Sequence, residues 1–179
     1  MVALATRFYC RGITIMYLGK NFAEKKADEL IAFLNTALAN ANYGAAEPVD
    51  LANGSFISTF DDGDWYYEDT WYGGEPFSGI TTVSYKSVVC WTMVYRGRLE
   101  ERYASIKEEV MNCLKAALKV TPSNRPVRGP ELYQHPNDFL YRNQCRGTIA
   151  DFSGSEEIRD LANRRVYTCT YTGGFVNLW

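Results

Sequence analysis

Two stretches of this chain repeat one another, and that repetition limits the folds open to it more than any other feature. The first runs Asp64-Trp65-x-Tyr67, then Phe77-Ser78-Gly79, then Val89 followed by Tyr95-x-Gly97. The second runs Asp138-Phe139-x-Tyr141, then Phe152-Ser153-Gly154, then Val166 followed by Tyr171-x-Gly173. The order is the same, and the spacings agree to within one or two residues. This is the pattern of a duplicated β unit. One small antiparallel meander cannot cover both its faces, so two such units are expected to share a curved sheet with helices against one side.

The periodicity fills in the elements. Residues 22–40 carry Ala27, Leu30, Ile31, Leu34 and Leu38 at helical spacing, with Asn21 and Glu24 placed as a capping box. Asn42 to Asn53 reads as loop, punctuated by Gly44, Pro48 and Gly54. From Ser55 the period changes to two. Residues 56–60, 65–72, 80–85 and 88–95 read as successive antiparallel strands, joined by the Asp61–Asp64 turn, by Gly73-Gly74 and by Lys86-Ser87. A second helix, near 105–119, has Ser105 and Glu108 at capping-box spacing and an apolar stripe of Ile106, Val110, Cys113, Leu114 and Ala117, with Pro122 ending it. Residues 125–130 form a Pro-flanked loop, and 139–146, 148–152 and 166–172 are further strands, with a short helix expected over 155–165.

The fold class expected is therefore α+β: two helices packed on a curved antiparallel sheet built from two similar β-meander halves. One domain spans 22–179, in halves 22–99 and 100–179, and residues 1–21 are an extension or extra strand for which Met16 is a candidate natural start. At 179 residues the core needs no disulfide or metal to hold it. Cys10, Cys90, Cys113, Cys145 and Cys169 form no C-x-x-C pair, which argues against a zinc site and a secreted disulfide framework and points to a reducing cytoplasm. Net charge is −2, so direct nucleic-acid binding is not expected, although a local basic patch is allowed. No apolar run reaches the roughly 20 residues of a membrane span.

The segments GDWYYEDTWYGGEPFSG (63–79), VVCWTMVYRG (88–97), RPVRGPELY (125–133), FSGSEEI (152–158) and VYTCTYTGG (166–174) together resemble one family. It is the domain of unknown function found C-terminal to the helix-turn-helix in some XRE-type transcriptional regulators, and also alone. The resemblance covers roughly residues 27–176 and implies a sensing or partner-binding role, with no reaction attached. This chain has no room for a helix-turn-helix before residue 22, so a stand-alone module is expected. The family pattern places acids after the glycine of the first FSG motif; Ile80 and Thr81 stand there, whereas the second copy keeps Glu156 and Glu157.

Chemistry is less legible. Asp61, Asp62 and Asp64 read as turn formers, with no EF-hand spacing, and no metal or cofactor is expected. His135 lies alone in a surface loop, and no nucleophile elbow, phosphate loop or dinucleotide fingerprint is present. Asp69 stands mid-strand among aromatics and needs a partner; Arg125 or Arg128 is expected to supply it. Aromatic stripes beside Arg125, Arg128 and Arg142 read either as core or as a pocket for a planar or phosphorylated small molecule. The ligand-binding residues expected are Asp69, Tyr72, Trp91, Tyr95, Arg125, Arg128, Tyr141 and Tyr171, between the halves. Three function classes stay open: a non-catalytic ligand-sensing or sequestering module, including one from a phage or mobile element; an inhibitor or scaffold that binds a host protein; and an enzyme using Glu156, Glu157 or Asp69. The first is preferred.

Overall fold

The computed structural model describes residues 6–10, 13–19, 21–42 and 49–177. Gly44 and Pro48, read above as loop punctuation, lie outside them. The chain opens with an antiparallel hairpin, β1 (Thr6–Cys10) and β2 (Ile13–Tyr17). Helix α1 (Phe22–Ala37) follows and runs into a π-helical turn, Leu38–Asn42. Then come β3 (Val49–Asp50), β4 (Ser55–Asp62), β5 (Trp65–Tyr72), β6 (Phe77–Tyr85) and β7 (Val88–Leu99). A 3-10 turn (Glu101–Ile106) leads into α2 (Lys107–Lys119). The chain closes with β8 (Leu132–Gln134), β9 (Leu140–Thr148), β10 (Asp151–Arg159) and β11 (Arg165–Phe175).

Strands β3 to β11 form one open, curled antiparallel sheet in the order β3-β4-β5-β6-β7-β11-β10-β9-β8. This is an α+β fold, and its two meander halves meet where β7 pairs with β11. The repeated sequence marks the same contacts twice. Gly79 lies opposite Tyr95 and Gly154 opposite Tyr171. In each pair the tyrosine ring end occupies the space that a glycine Cβ would take. Phe77 covers Gly97 and Phe152 covers Gly173 in the same way. Tyr95 and Tyr171 are themselves register partners at the junction of the halves. The repeat is thus a packing device: small residues let a tyrosine and a phenylalanine lie flat across neighbouring strands.

Among the described residues the helices cover one face of the sheet. Trp65, Tyr67, Val83, Trp91, Met93, Tyr141, Ile158 and Tyr167 are buried on it, beneath Leu30, Phe33 and Leu34 of α1 and Val110, Cys113 and Ala117 of α2. Phe33 stacks on Trp65 with ring centroids 5.6 Å apart. Each fully buried aliphatic or aromatic side chain of this layer stabilises the fold by about 1.5–3 kcal/mol. The other face carries Tyr66, Tyr72, Ile80, Val94, Arg96 and Arg98 into solvent. The aromatics on both faces of β5 therefore do not signal two covered layers, because Tyr66 and Tyr72 are exposed.

Local expectations are corrected in two places. Neither α1 nor α2 has a side-chain cap; Ser105 lies inside the 3-10 turn, and α1 starts on backbone bonds, Phe22 N–H to the Gly19 carbonyl at 3.0 Å. The helix expected over 155–165 is the end of β10 and a turn. Glu156 and Ile158 alternate inward against β9 and β11, and this long-range pairing overrides local propensity. The Lys86-Ser87 connection holds as a tight turn, with φ of 49° and 65°.

Because the glycine–tyrosine contacts leave no room, Gly79→Ala and Gly154→Ala should each destabilise the protein by about 1–3 kcal/mol in urea unfolding. Ser153→Ala, an exposed neighbour, should stay within about 0.5 kcal/mol of the parent. Equal midpoints for all three variants would contradict the packing described.

Candidate functional site

The polar residues of the covered face lie at equivalent positions of the two halves. Two residues after each FSG glycine stands Thr81 or Glu156; two after each aligned tyrosine stands Asp69 or Asn143. Asp69 is the register partner of Thr81, and Asn143 of Glu156. In the first half Asp69 accepts the Thr81 hydroxyl at 2.8 Å and the Tyr95 hydroxyl at 3.1 Å. In the second, Asn143 accepts the Tyr171 hydroxyl at 2.6 Å. The carboxylate has changed strands between the halves, which is why Thr81 can replace an acid after the first FSG motif.

Glu156 is the hub of the second half. It is 2 % exposed, yet four donors reach its carboxylate. Arg128 donates through Nε at 3.1 Å and through Nη2; Tyr141 donates at 2.6 Å and Tyr167 at 3.1 Å. An ion taken out of water costs several kcal/mol, and a fork of two guanidinium bonds plus two phenols offsets that cost by filling both oxygens. The loop bearing Arg128 is tied down further. Asn143 donates to the Gly129 carbonyl at 2.7 Å, and Gly129 packs directly on the Tyr141 ring, where a Cβ would meet the ring at 2.7–2.8 Å.

Against this loop the covered face opens into a hollow of 330 Å3. Asp69, Tyr95, Arg128 and Lys115 supply its polar groups. Trp71 and Phe77 supply aromatic wall from the sheet, and α2 presents Met111, Leu114, Lys115 and Leu118, spaced i, i+3, i+4 and i+7 along one helix face. The volume lies at the small end of the range for small-molecule sites, and a mainly apolar lining with a few converging polar groups is typical of them. Arg128 also stands over the Tyr95 ring, 5.5 Å from its centroid.

Three of the eight residues expected from sequence, Asp69, Tyr95 and Arg128, line this hollow. Tyr141 and Tyr171 stand behind it in the buried network. Trp91 is in the core, its indole N–H on the Ile149 carbonyl at 2.9 Å, beside a void of only 10 Å3. Arg125 is half-buried, its guanidinium 3.5 Å from the Cys145 carbonyl. Tyr72 and Arg142 point to the solvent face, so Arg125, Arg128 and Arg142 do not converge on one phosphate. Glu156 and Glu157 alternate to opposite faces and cannot share a substrate. Sequence reading missed Glu156 as the partner of Arg128, and the α2 face as a wall; the i, i+3, i+4, i+7 spacing was the available signal for the latter. Among the described residues no group of three His, Cys, Asp or Glu side chains could hold a metal ion.

A family model of a domain of unknown function, DUF5680, matches residues 69–176, from the hollow's Asp69 through the whole second half. The chain belongs to the DUF5680 family. The matched span holds Arg128, Glu156 and both glycine–tyrosine pairs, so the DUF5680 region contains the buried network and the hollow's polar groups. Neither the curated proteins nor the solved structures provide a significant match.

Burial, followed by the Glu156 charge, pushes the Tyr141 and Tyr167 hydroxyls well above the ordinary value of 10.0, and burial raises Tyr171 as well. Burial likewise pushes the thiols of Cys90 and Cys113 up to about 12 and that of Cys169 to about 11. All are acids whose folded form holds the proton more tightly than the unfolded chain. Stability is therefore fully present below pH 9.0, the ordinary thiol value, falls above it, and falls more steeply above 10.0. Alkaline unfolding followed by phenolate absorbance should be cooperative, with these tyrosines ionising only on unfolding. In the native protein at about pH 8, iodoacetamide should leave Cys90, Cys113 and Cys169 unmodified. Rapid native labelling of all three would contradict their burial.

Proposed function

We propose that this DUF5680 chain is a non-catalytic binding module that takes a small, largely flat molecule in the hollow between α2 and the first-half strands. The observation that carries the reading is the lining itself: aromatic and aliphatic walls around Asp69, Tyr95 and Arg128 at one end. A ligand of this kind stacks on Trp71 or Phe77 and turns a hydrogen-bond donor toward the Asp69 carboxylate. Lys115 at the same hollow favours a ligand with an acidic edge. The arrangement supports binding rather than turnover, because the two acids after the second FSG motif are committed to arginines: Glu156 to Arg128 and Glu157 to Arg159.

A sensing or sequestering role follows from the resemblance to domains that accompany XRE-type helix-turn-helix regulators. In a regulator such a module couples ligand occupancy to the DNA-binding part; alone it lowers the free concentration of the ligand. Docking to a partner protein is the second reading, favoured by Ile80 and Val94, exposed register partners on the solvent face.

Native mass spectrometry of the freshly purified chain, beside the same sample denatured, tests the proposal. A small extra mass should be present in the native spectrum and lost on denaturation. Met111→Trp, which fills the hollow from its helical wall, should fold and lose that mass. A clean apo spectrum together with no thermal shift against a panel of small aromatic acids and heterocycles would overturn it.

A further inference from the structure

The solvent face of the second half holds a separate hollow of 520 Å3, on the opposite side of the sheet from Asp69 and Tyr95. Register places its residues in two rows. Arg142, Glu157, Thr168 and Arg98 are successive partners across β9, β10, β11 and β7, and Gln144, Ser155, Thr170 and Arg96 form the next row. Arg98, Arg142 and Arg165 line the hollow around Ser155, Thr168 and Thr170. All three arginines are exposed. Among the described residues Arg98 and Arg142 make no ion pair, and Arg165 reaches Glu100 only at 3.7 Å. Among the described residues Glu157 is the carboxylate facing the hollow, and Arg159 grips it at 2.7 and 3.0 Å. A chain of net charge −2 thus keeps a cationic bowl floored by hydroxyl donors.

We infer that this bowl binds a small polyphosphorylated anion, of the nucleoside di- or triphosphate class. Guanidinium forks match phosphate oxygens two at a time, and serine and threonine hydroxyls donate to those left over. From β9 to β7 the bowl crosses three interstrand spacings, about 14 Å in all, which suits a short run of phosphates. A groove for single-stranded nucleic acid pairs its charge with aromatic stacking platforms. Among the described residues the lining of this bowl has no aromatic side chain, and on the same face the basic tract gives way to Glu68, Tyr66 and Ile80 toward β5 and β6. Glu157 sets the selectivity: it repels carboxylates and single phosphates that cannot engage Arg98 and Arg142 together.

Isothermal titration calorimetry of the full chain with sodium tripolyphosphate and with ADP, at about 50 and about 200 mM salt, tests the inference. Both should bind, more weakly at the higher salt, and the Arg98→Ala, Arg142→Ala double variant should lose about tenfold or more in affinity. An Arg102→Ala, Lys119→Ala variant removes the same charge from exposed positions elsewhere and should bind like the parent. Glu157→Gln should bind more tightly. No binding of tripolyphosphate at the lower salt would overturn the site. So would equal affinity in the Arg98, Arg142 variant, or a single-stranded oligonucleotide that binds more tightly than either probe and loses that binding in the same variant.

Discussion

The Arg128–Glu156 pair is the constraint on which the rest depends. Both side chains are nearly fully buried, and a buried charge is tolerated only where its partner and its remaining hydrogen bonds are fixed. Tyr141 and Tyr167 complete the carboxylate from the neighbouring strands β9 and β11. The pair therefore demands that three strands of the second half and the loop before β8 arrive together. Replacing it with apolar residues of similar volume need not weaken the fold. What it supplies is position: the guanidinium holds the loop on the sheet and meets the hollow beside Tyr95.

The two halves use one packing scheme and diverge in their polar residues. Each lays a tyrosine over the glycine of its FSG motif and a phenylalanine over the glycine that follows that tyrosine. Where the second half has Asn143 and Glu156, the first has Asp69 and Thr81. The result is one carboxylate saturated by an arginine and two phenols, and another bonded to a threonine and a tyrosine at the edge of a hollow. The two halves share the frame, and their departures from symmetry make one side of the sheet chemically distinct. The uncovered face departs in its own way, with arginines concentrated over the second half.

Much of this was readable beforehand, for physical reasons. The repeat, the antiparallel strands and both helices follow from period and turn chemistry, which are local. The Lys86-Ser87 turn and the stripes of α1 and α2 belong to the same class. The segment 155–165 failed because Glu156 and Glu157 look alike in sequence, while one is buried against Arg128 and the other is half-buried on the opposite face beside Arg159. Only the long-range register separates them. Asp69 stood out because a carboxylate mid-strand amid aromatics needs a partner, and Arg128 because a loop arginine could supply one. Met111, Leu114, Lys115 and Leu118 were hidden, since a helix stripe does not say which part faces sheet and which faces a cavity. Arg142 was grouped with Arg128 and Tyr141 although alternation along 139–146 already turns Tyr141 and Arg142 to opposite faces.

A double-mutant cycle between Arg128 and Glu156, measured by urea unfolding, tests the central claim most directly. Arg128→Met and Glu156→Gln should each cost about 3–5 kcal/mol, because each leaves a buried group without its partner. Together they should cost about as much as one alone, a coupling of at least about 2 kcal/mol. Additive losses, or single variants as stable as the parent, would contradict the claim that this pair holds the loop and shapes the hollow.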